Sequence, residues 1–176
     1  MFDRQPDLTD GTYHLRPLRA ADRPALRLAA SDPLIWAGHP AKDRYKPQVF
    51  NALFDTLLAF EGALLISRGE DVIGTSTYYT GSTQPGTIAI GYTFLTRDHW
   101  GGAANRAVKT LMLDHAFGAH DAVWLHIGPD NIRSQKATAK LGAVYTHTEV
   151  MQTSGGPTPM QFWRLDRSAW RNRVGQ

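Results

Sequence analysis

Hydrophobic positions along the chain switch repeatedly between a period near two and a period near 3.6, which predicts strands and helices in alternation. Tyr13–Leu18 alternates as a first strand, with Pro17 marking its end or an edge position. Ala20–Ala30 reads as a helix with Pro24 in its first turn, and Asp32-Pro33 breaks it. Leu34–Lys46 is loop-like. Pro47–Phe60 returns to helical spacing, with Phe50, Leu53, Phe54, Leu57 and Leu58 on one side. Three strands follow at Ala63–Ser67, Val72–Thr80 and Thr87–Leu95, joined by a tight turn at Arg68–Asp71 and a longer one at Gly81–Gly86. A helix at Gly102–Phe117 carries apolar residues at Ala104, Val108, Leu111, Met112 and Ala116. Then come a strand at Ala122–Ile127, a short helix at Ile132–Leu141 closed by Gly142, and a hairpin of Ala143–Gln152 with Met160–Leu165.

This order predicts one α/β domain over residues 1–176, with residues 1–10 as a loose leader. The net charge of +3 comes without any run of Lys or Arg. Arg16 with Arg19, and Arg164, Arg167, Arg171 and Arg173, are spaced as solvated faces, which argues against a nucleic-acid partner. The absence of cysteine excludes disulfides, thiolate zinc sites and a Cys nucleophile. His115 and His120-Asp121 lack metal-ligand spacing, so no metal is expected. No apolar stretch reaches the ~20 residues of a membrane span. Met1–Asp10 has no signal-peptide core, so the expected location is cytoplasmic with no membrane partner.

The segment richest in chemistry is Ile88–Phe117, where a β-branched and aromatic strand enters the small-residue turn Trp100-Gly101-Gly102-Ala103-Ala104 and then a helix. Such a turn aims free backbone N–H groups and the positive end of a helix dipole at one spot, which suits a phosphate. A plain Gly-rich connection would look the same. Lys109-Thr110 follows Val108 inside the helix, so there is no P-loop, and the fingerprint G-x-G-x-x-G is absent. Gly74-Thr75-Ser76 lacks the nucleophile-elbow pattern. A second segment, Asn131-Ile-Arg-Ser134 followed by Lys140-Leu-Gly-Ala143, places Asn and Ser where they serve either as a helix cap or toward a ligand.

Together these segments resemble the GNAT superfamily of acyl-CoA-dependent N-acyltransferases, over about Tyr13 to Trp170. Gly91–Phe117 is similar to the family's pyrophosphate-binding motif, and Asn131–Ala143 to its N-x-x-S…K-L-G-A motif. Leu15-Arg-Pro-Leu18 with Asp22, Asp32-Pro-Leu-Ile-Trp36 and His99-Trp-Gly-Gly102 resemble the branch that includes the ribosomal-protein-alanine N-acetyltransferases. The resemblance implies a mixed sheet of six to seven strands, a splayed parallel pair formed by Thr87–Leu95 and Ala122–Ile127, and about four helices. It also implies acetyl-CoA as co-substrate. The cofactor-binding set would be Phe94, Leu95, Thr96 and Arg97 on and after the strand, Trp100, Gly101, Gly102, Ala103, Ala104, Asn105 and Arg106 in the loop, and Asn131 and Ser134 beyond.

An amine would attack the thioester directly in a ternary complex. A strand N–H near Phe94 would polarise the carbonyl, and Ser134 would bond the departing sulfur or protonate it, directly or through water. The acceptor would be a protein N-terminus, an amino acid or another small amine, selected by the Trp36–Lys46 and Glu149–Met160 segments. Trp36, Tyr45, Tyr78, Tyr79 and Tyr92 either line that pocket or sit in the core.

The chain departs from the family pattern at three points. Asp98 stands where Gln or Arg usually opens the loop, Ala103 replaces the loop's second Gly, and Ala89 stands where many relatives carry a Glu base. His126 is the first substitute base, since alternation puts it with Trp124 on one strand face, and an imidazole there would titrate near neutral pH. His99, His39 and Glu149 are weaker candidates, and Tyr145 has the chemistry of an acid. The missing Glu motivates an alternative, an acyl-CoA-binding sensor or scaffold without turnover. Dimerisation through an exposed sheet edge is compatible with the pattern.

Overall fold

The computed structural model describes residues 2–80, 87–153 and 156–174. Eight strands form one sheet: β1 (Leu8–Thr9), β2 (Tyr13–Pro17), β3 (Ala63–Arg68), β4 (Asp71–Tyr79), β5 (Ile88–Leu95), β6 (Ala122–Ile127), β7 (Val144–Thr153) and β8 (Gly156–Asp166). Their spatial order is β1-β2-β3-β4-β5-β6-β8-β7. Neighbours are antiparallel except β5 and β6, which run parallel. The six helices are α1 (Arg23–Ala29), α2 (Pro33–Trp36), α3 (Pro47–Ala59), α4 (Ala103–Phe117), α5 (Ile132–Lys140) and α6 (Arg167–Val174).

The two faces of the sheet are covered differently. Val108, Met112, Leu113 and Ala116 of α4 pack on Leu15, Ile66, Ile88, Ile90, Val123 and Leu165. On the opposite face, Leu26 of α1, Ile35 and Trp36 of α2, and Phe50, Leu53, Phe54 and Leu57 of α3 pack on Ala63, Leu65 and Phe94. Each of those α3 side chains contributes roughly 1.5–3 kcal/mol through burial. A smaller apolar group of Tyr79, Ala89, Trp124 and Phe162 continues this second face toward β8.

Several expectations are corrected by this architecture. Among the described residues the sheet has eight strands rather than six or seven, and six helices stand where about four were implied. Residues 1–10 are not loose over their described part: Leu8 and Thr9 pair with Leu15 and His14, and the Phe2 ring packs edge-on against Tyr78 at 5.3 Å. The last strand begins at Gly156, not Met160, although Pro157 and Pro159 lie within it. Residues 156–160 pair only with β7, because β6 covers β8 from Gln161 onward, so the two prolines face an open edge that needs no N–H donor. The predicted turn at Gly81–Gly86 lies outside the described residues, as do Ser154 and Gly155.

Candidate active site

β5 and β6 share only two register pairs, Ile88 with Val123 and Ala89 with Trp124, and then part. The cause lies in β5. Thr75 pairs with Phe94 and Thr77 with Gly91, so β5 holds one residue more than β4 over the same span. The extra residue is a bulge at Gly91–Tyr92, where Tyr92 adopts φ +51. Alternation slips there: Ile88 and Ile90 face α4, Tyr92 and Phe94 face α1–α3, and Thr93 turns back toward α4. Gly74 on β4 must be glycine, since a Cβ would collide with the Phe94 carbonyl.

At the open end of this split stand two helix N-termini. Gly101 has φ +68 and Gly102 is the N-cap of α4 without any side-chain cap bond. A Cβ at either glycine would meet nothing within 4 Å. The first-turn N–H groups of α4 therefore have no side-chain cap and face open space. Ala103 is exposed, the Ala104 side chain joins the core, Asn105 is half-buried and Arg106 is exposed. Across the split, Asn131 Oδ1 accepts the Ser134 N–H at 3.2 Å, so Asn131 is the cap of α5. Ser134 Oγ takes no part in that cap. The Arg133 guanidinium lies 3.6 Å from the centre of the Trp100 ring, so the two sides of the mouth touch.

The other predicted cofactor residues are partly engaged. Trp100 Nε1 donates to the Leu95 carbonyl at 2.9 Å, and Thr96 N–H donates to Ile73 O at 2.8 Å. The Arg97 side chain is paired with Asp32, whose carboxyl is held below its ordinary range by that contact and by Leu34 N–H. Asp98 lies exposed in the short 3-10 turn Arg97–His99.

On the α1–α3 side of the split, aromatic rings form a wall. Tyr92 packs against Phe60 at 5.0 Å and Tyr79 at 5.6 Å, and Tyr79 Oη meets His126 Nδ1 at 2.7 Å. The His126 ring lies 4.3 Å from that of Phe162. His126 and Trp124 do share a face, but burial, helped by His147, pushes His126 down to about 4. The expectation of an imidazole titrating near neutrality is thus corrected: His126 is neutral at pH 7, and its Nε2 is buried without a partner. Ala89 is fully buried. Tyr78 is core, donating to Met112 O at 2.6 Å on the α4 face. His99 Nδ1 is bonded to Thr96 Oγ1 at 2.9 Å. Tyr145 and Glu149 lie exposed on the edge strand β7, bonded to Thr148 and 3.5 Å from His147 respectively.

Sequence reasoning passed over two buried cations beside the bulge. Lys109 on α4 donates to Thr93 Oγ1 at 2.8 Å, Thr93 Oγ1 also meets Ser76 Oγ at 2.7 Å, and burial pushes Lys109 down to about 7. Arg44, in the α2–α3 connection, lies 5.8 Å from the Tyr92 ring and 5.6 Å from that of Trp36. A lone Arg in an aperiodic loop gives no sequence signal. A surface hollow of about 500 Å³ lined by Asp121, Arg164, Arg167 and Arg171 sits at the other end of β6, away from the split, with Arg164 paired to Asp166 and Arg167 to Asp121.

A sheet that splits after a short parallel pair, with a bare helix N-terminus at its mouth, is the arrangement that the sequence resemblance implies. Residues 13–144 match the description "Acetyltransferase (GNAT) domain", and the chain belongs to that family. No curated protein matches it in sequence. The fold is similar to that of a GCN5-related N-acetyltransferase from Brucella melitensis, with 16% identity and a TM-score of 0.77 over 95% of this chain and 81% of the other. It is also similar to Mycobacterium smegmatis RimJ in complex with CoA-disulfide, with 20% identity and a TM-score of 0.69 over 97% and 92% of the two chains. A third likeness is to the ribosomal-protein-S5-alanine acetyltransferase of Vibrio fischeri, with 17% identity and a TM-score of 0.65 over 94% and 99%. Among the described residues no group of acids and histidines is placed to hold a metal, and no helix is long and apolar enough to cross a membrane.

Proposed function

We propose that the protein transfers the acetyl group of acetyl-CoA to a primary amine by direct attack in a ternary complex. The observation that carries this reading is the bare N-terminus of α4, at Gly101–Gly102, standing at the mouth of the β5/β6 split. The pyrophosphate would accept N–H groups from Gly101 to Arg106, and the pantetheine would lie along β5 beyond its last pair with β6. A main-chain N–H of β5 near Phe94, just past the bulge, would polarise the thioester carbonyl, and the Ser134 hydroxyl would serve the departing sulfur.

Proton removal follows from the electrostatics of the wall. With Ala89 in place of a carboxylate and burial leaving the His126 imidazole only weakly basic, the amine itself supplies the rising limb of the pH profile, losing its proton to water before attack. The likeness to RimJ and to the S5-alanine acetyltransferase supports an amine acceptor and leaves protein N-termini and small amines both in play. Alanine at position 89, in place of a carboxylate, favours one alternative, an acyl-CoA sensor of the same fold without turnover. Calorimetric titration with acetyl-CoA, with ATP as control, followed by release of free CoA in the presence of an amine panel, tests both. Binding with turnover supports the enzyme, binding without turnover supports the sensor, and no binding overturns the assignment.

A further inference from the structure

Arg44 is 9% exposed, and among the described residues no carboxylate lies within ion-pair distance of it. Its one hydrogen-bond contact is Nη1 to His39 Nε2 at 3.2 Å. The other ring nitrogen, His39 Nδ1, faces the Ala41 N–H at 2.9 Å. A neutral imidazole has one lone pair in its plane and one N–H. Two donors therefore converge on a ring that can accept from only one of them. Protonating the ring removes its remaining acceptor, and burial together with Arg44 already holds His39 down at about 3. One N–H is left facing a donor, in a site that also buries a full positive charge.

A buried cation without a counter-charge is costly, and an anionic ligand beside it would relieve that cost. The position of Arg44 identifies that ligand's place. The guanidinium covers Tyr92, the bulge residue, and Trp36, whose ring packs on Phe94 at 5.0 Å. It thus stands beside the aromatic wall, on the α1–α3 side of the split.

We propose that Arg44 receives a carboxylate carried by the amine acceptor, so that the substrates of this protein are amines bearing an acidic group within reach of the reacting nitrogen. This rests on the acetyltransferase reading above. A planar guanidinium bonds a carboxylate through two parallel N–H groups, which fixes the acceptor's orientation as well as its charge. The carboxylate has two sources, the α-carboxylate of a free amino acid or an acidic side chain near a peptide N-terminus.

The test compares matched acceptors: amino acids against their carboxamides, and peptides with Asp or Glu in the second position against Asn or Gln. Wild-type protein is expected to favour the carboxylate member of a pair by about a hundredfold in kcat/KM, the scale of a buried charge pair. Arg44→Met should collapse that ratio toward one, and Arg44→Lys should retain part of it. Calorimetry with acetyl-CoA on each variant separates a lost fold from a lost preference. A preference confined to free amino acids assigns the α-carboxylate, and one confined to acidic peptides assigns the side chain. No preference in wild type, or a preference that survives Arg44→Met, overturns the proposal while leaving the acetyltransferase reading intact. Failure of wild type to bind acetyl-CoA overturns both.

Discussion

Lys109 reaches from α4 to Thr93 on β5, placing an amine directly under the bulge that parts β5 from β6. Burial holds this lysine at about 7, well below its ordinary value. Between roughly pH 7 and its ordinary range near 10.4 the unfolded chain therefore binds a proton that the folded one does not. Stability from this group rises with pH across that window and is lowest below it. Replacing Lys109 by Met should raise the melting temperature at pH 6 by about 5 °C and flatten the pH dependence above 7. Thermal melts at four or five pH values check this, and an unchanged slope would return Lys109 to an ordinary solvated charge.

The phosphate cradle is testable at Gly101, whose φ of +68 and open surroundings separate strain from charge. Gly101→Ala should cost about 1 kcal/mol of stability through backbone strain alone. Gly101→Glu adds a negative charge where a pyrophosphate is expected and should weaken acetyl-CoA binding by two orders of magnitude or more. Calorimetric titration of both variants distinguishes the two effects.

Gly74 holds the other edge of the splay. A methyl there strikes the carbonyl of Phe94, which is main chain and cannot swing aside. Gly74→Ala should lower stability by about 3 kcal/mol or more and weaken acetyl-CoA more than it weakens ATP. Denaturant unfolding paired with the two titrations reads both consequences.

His126 bears on the proton path. Because it is neutral across the working range, His126→Phe should leave the pH–rate profile between pH 6 and 9 unshifted, even where the absolute rate falls. Loss of a limb near neutrality in that variant would reinstate the imidazole as the base. Acceptors with different amine pKa values should instead move the limb with them.

Ser134 offers its hydroxyl from the first turn of α5 while its N–H is held by Asn131. Ser134→Ala should reduce kcat by about 10- to 100-fold, with the acetyl-CoA dissociation constant within threefold of wild type. Single-turnover release of CoA measures the first, calorimetry the second.

Elements with a strong internal period were legible in the sequence, and their ends were set by residues whose chemistry is local. Ala122–Ile127 is a strand with the same bounds in sequence and structure, because Trp124 and His126 alternate cleanly against Val123 and Leu125. Gly142 ends α5 with φ +92, as its place after Leu141 implies. What escaped depends on tertiary contact. Strand β1 has two residues and is defined by pairing alone. Helix α6 is mostly polar, and its buried anchor is Trp170, which donates to Asp114 of α4 at 2.6 Å. The β5 bulge shows only as a Gly-Tyr pair inside an apolar run. Alternation gives the face of His126 but not the depth at which Phe162 and Tyr79 enclose it, and that depth is what lowers its basicity.

The short register between β5 and β6 has a thermodynamic consequence. A sheet joined across its middle by two residue pairs is two half-sheets, and whatever threads the gap supplies the missing rung between them. Such a ligand favours the folded chain by mass action, contributing roughly 2.7 kcal/mol when present at a hundred times its dissociation constant. On the acetyltransferase reading proposed above that ligand is acyl-CoA, and the melting temperature of the chain would climb with the concentration of the donor.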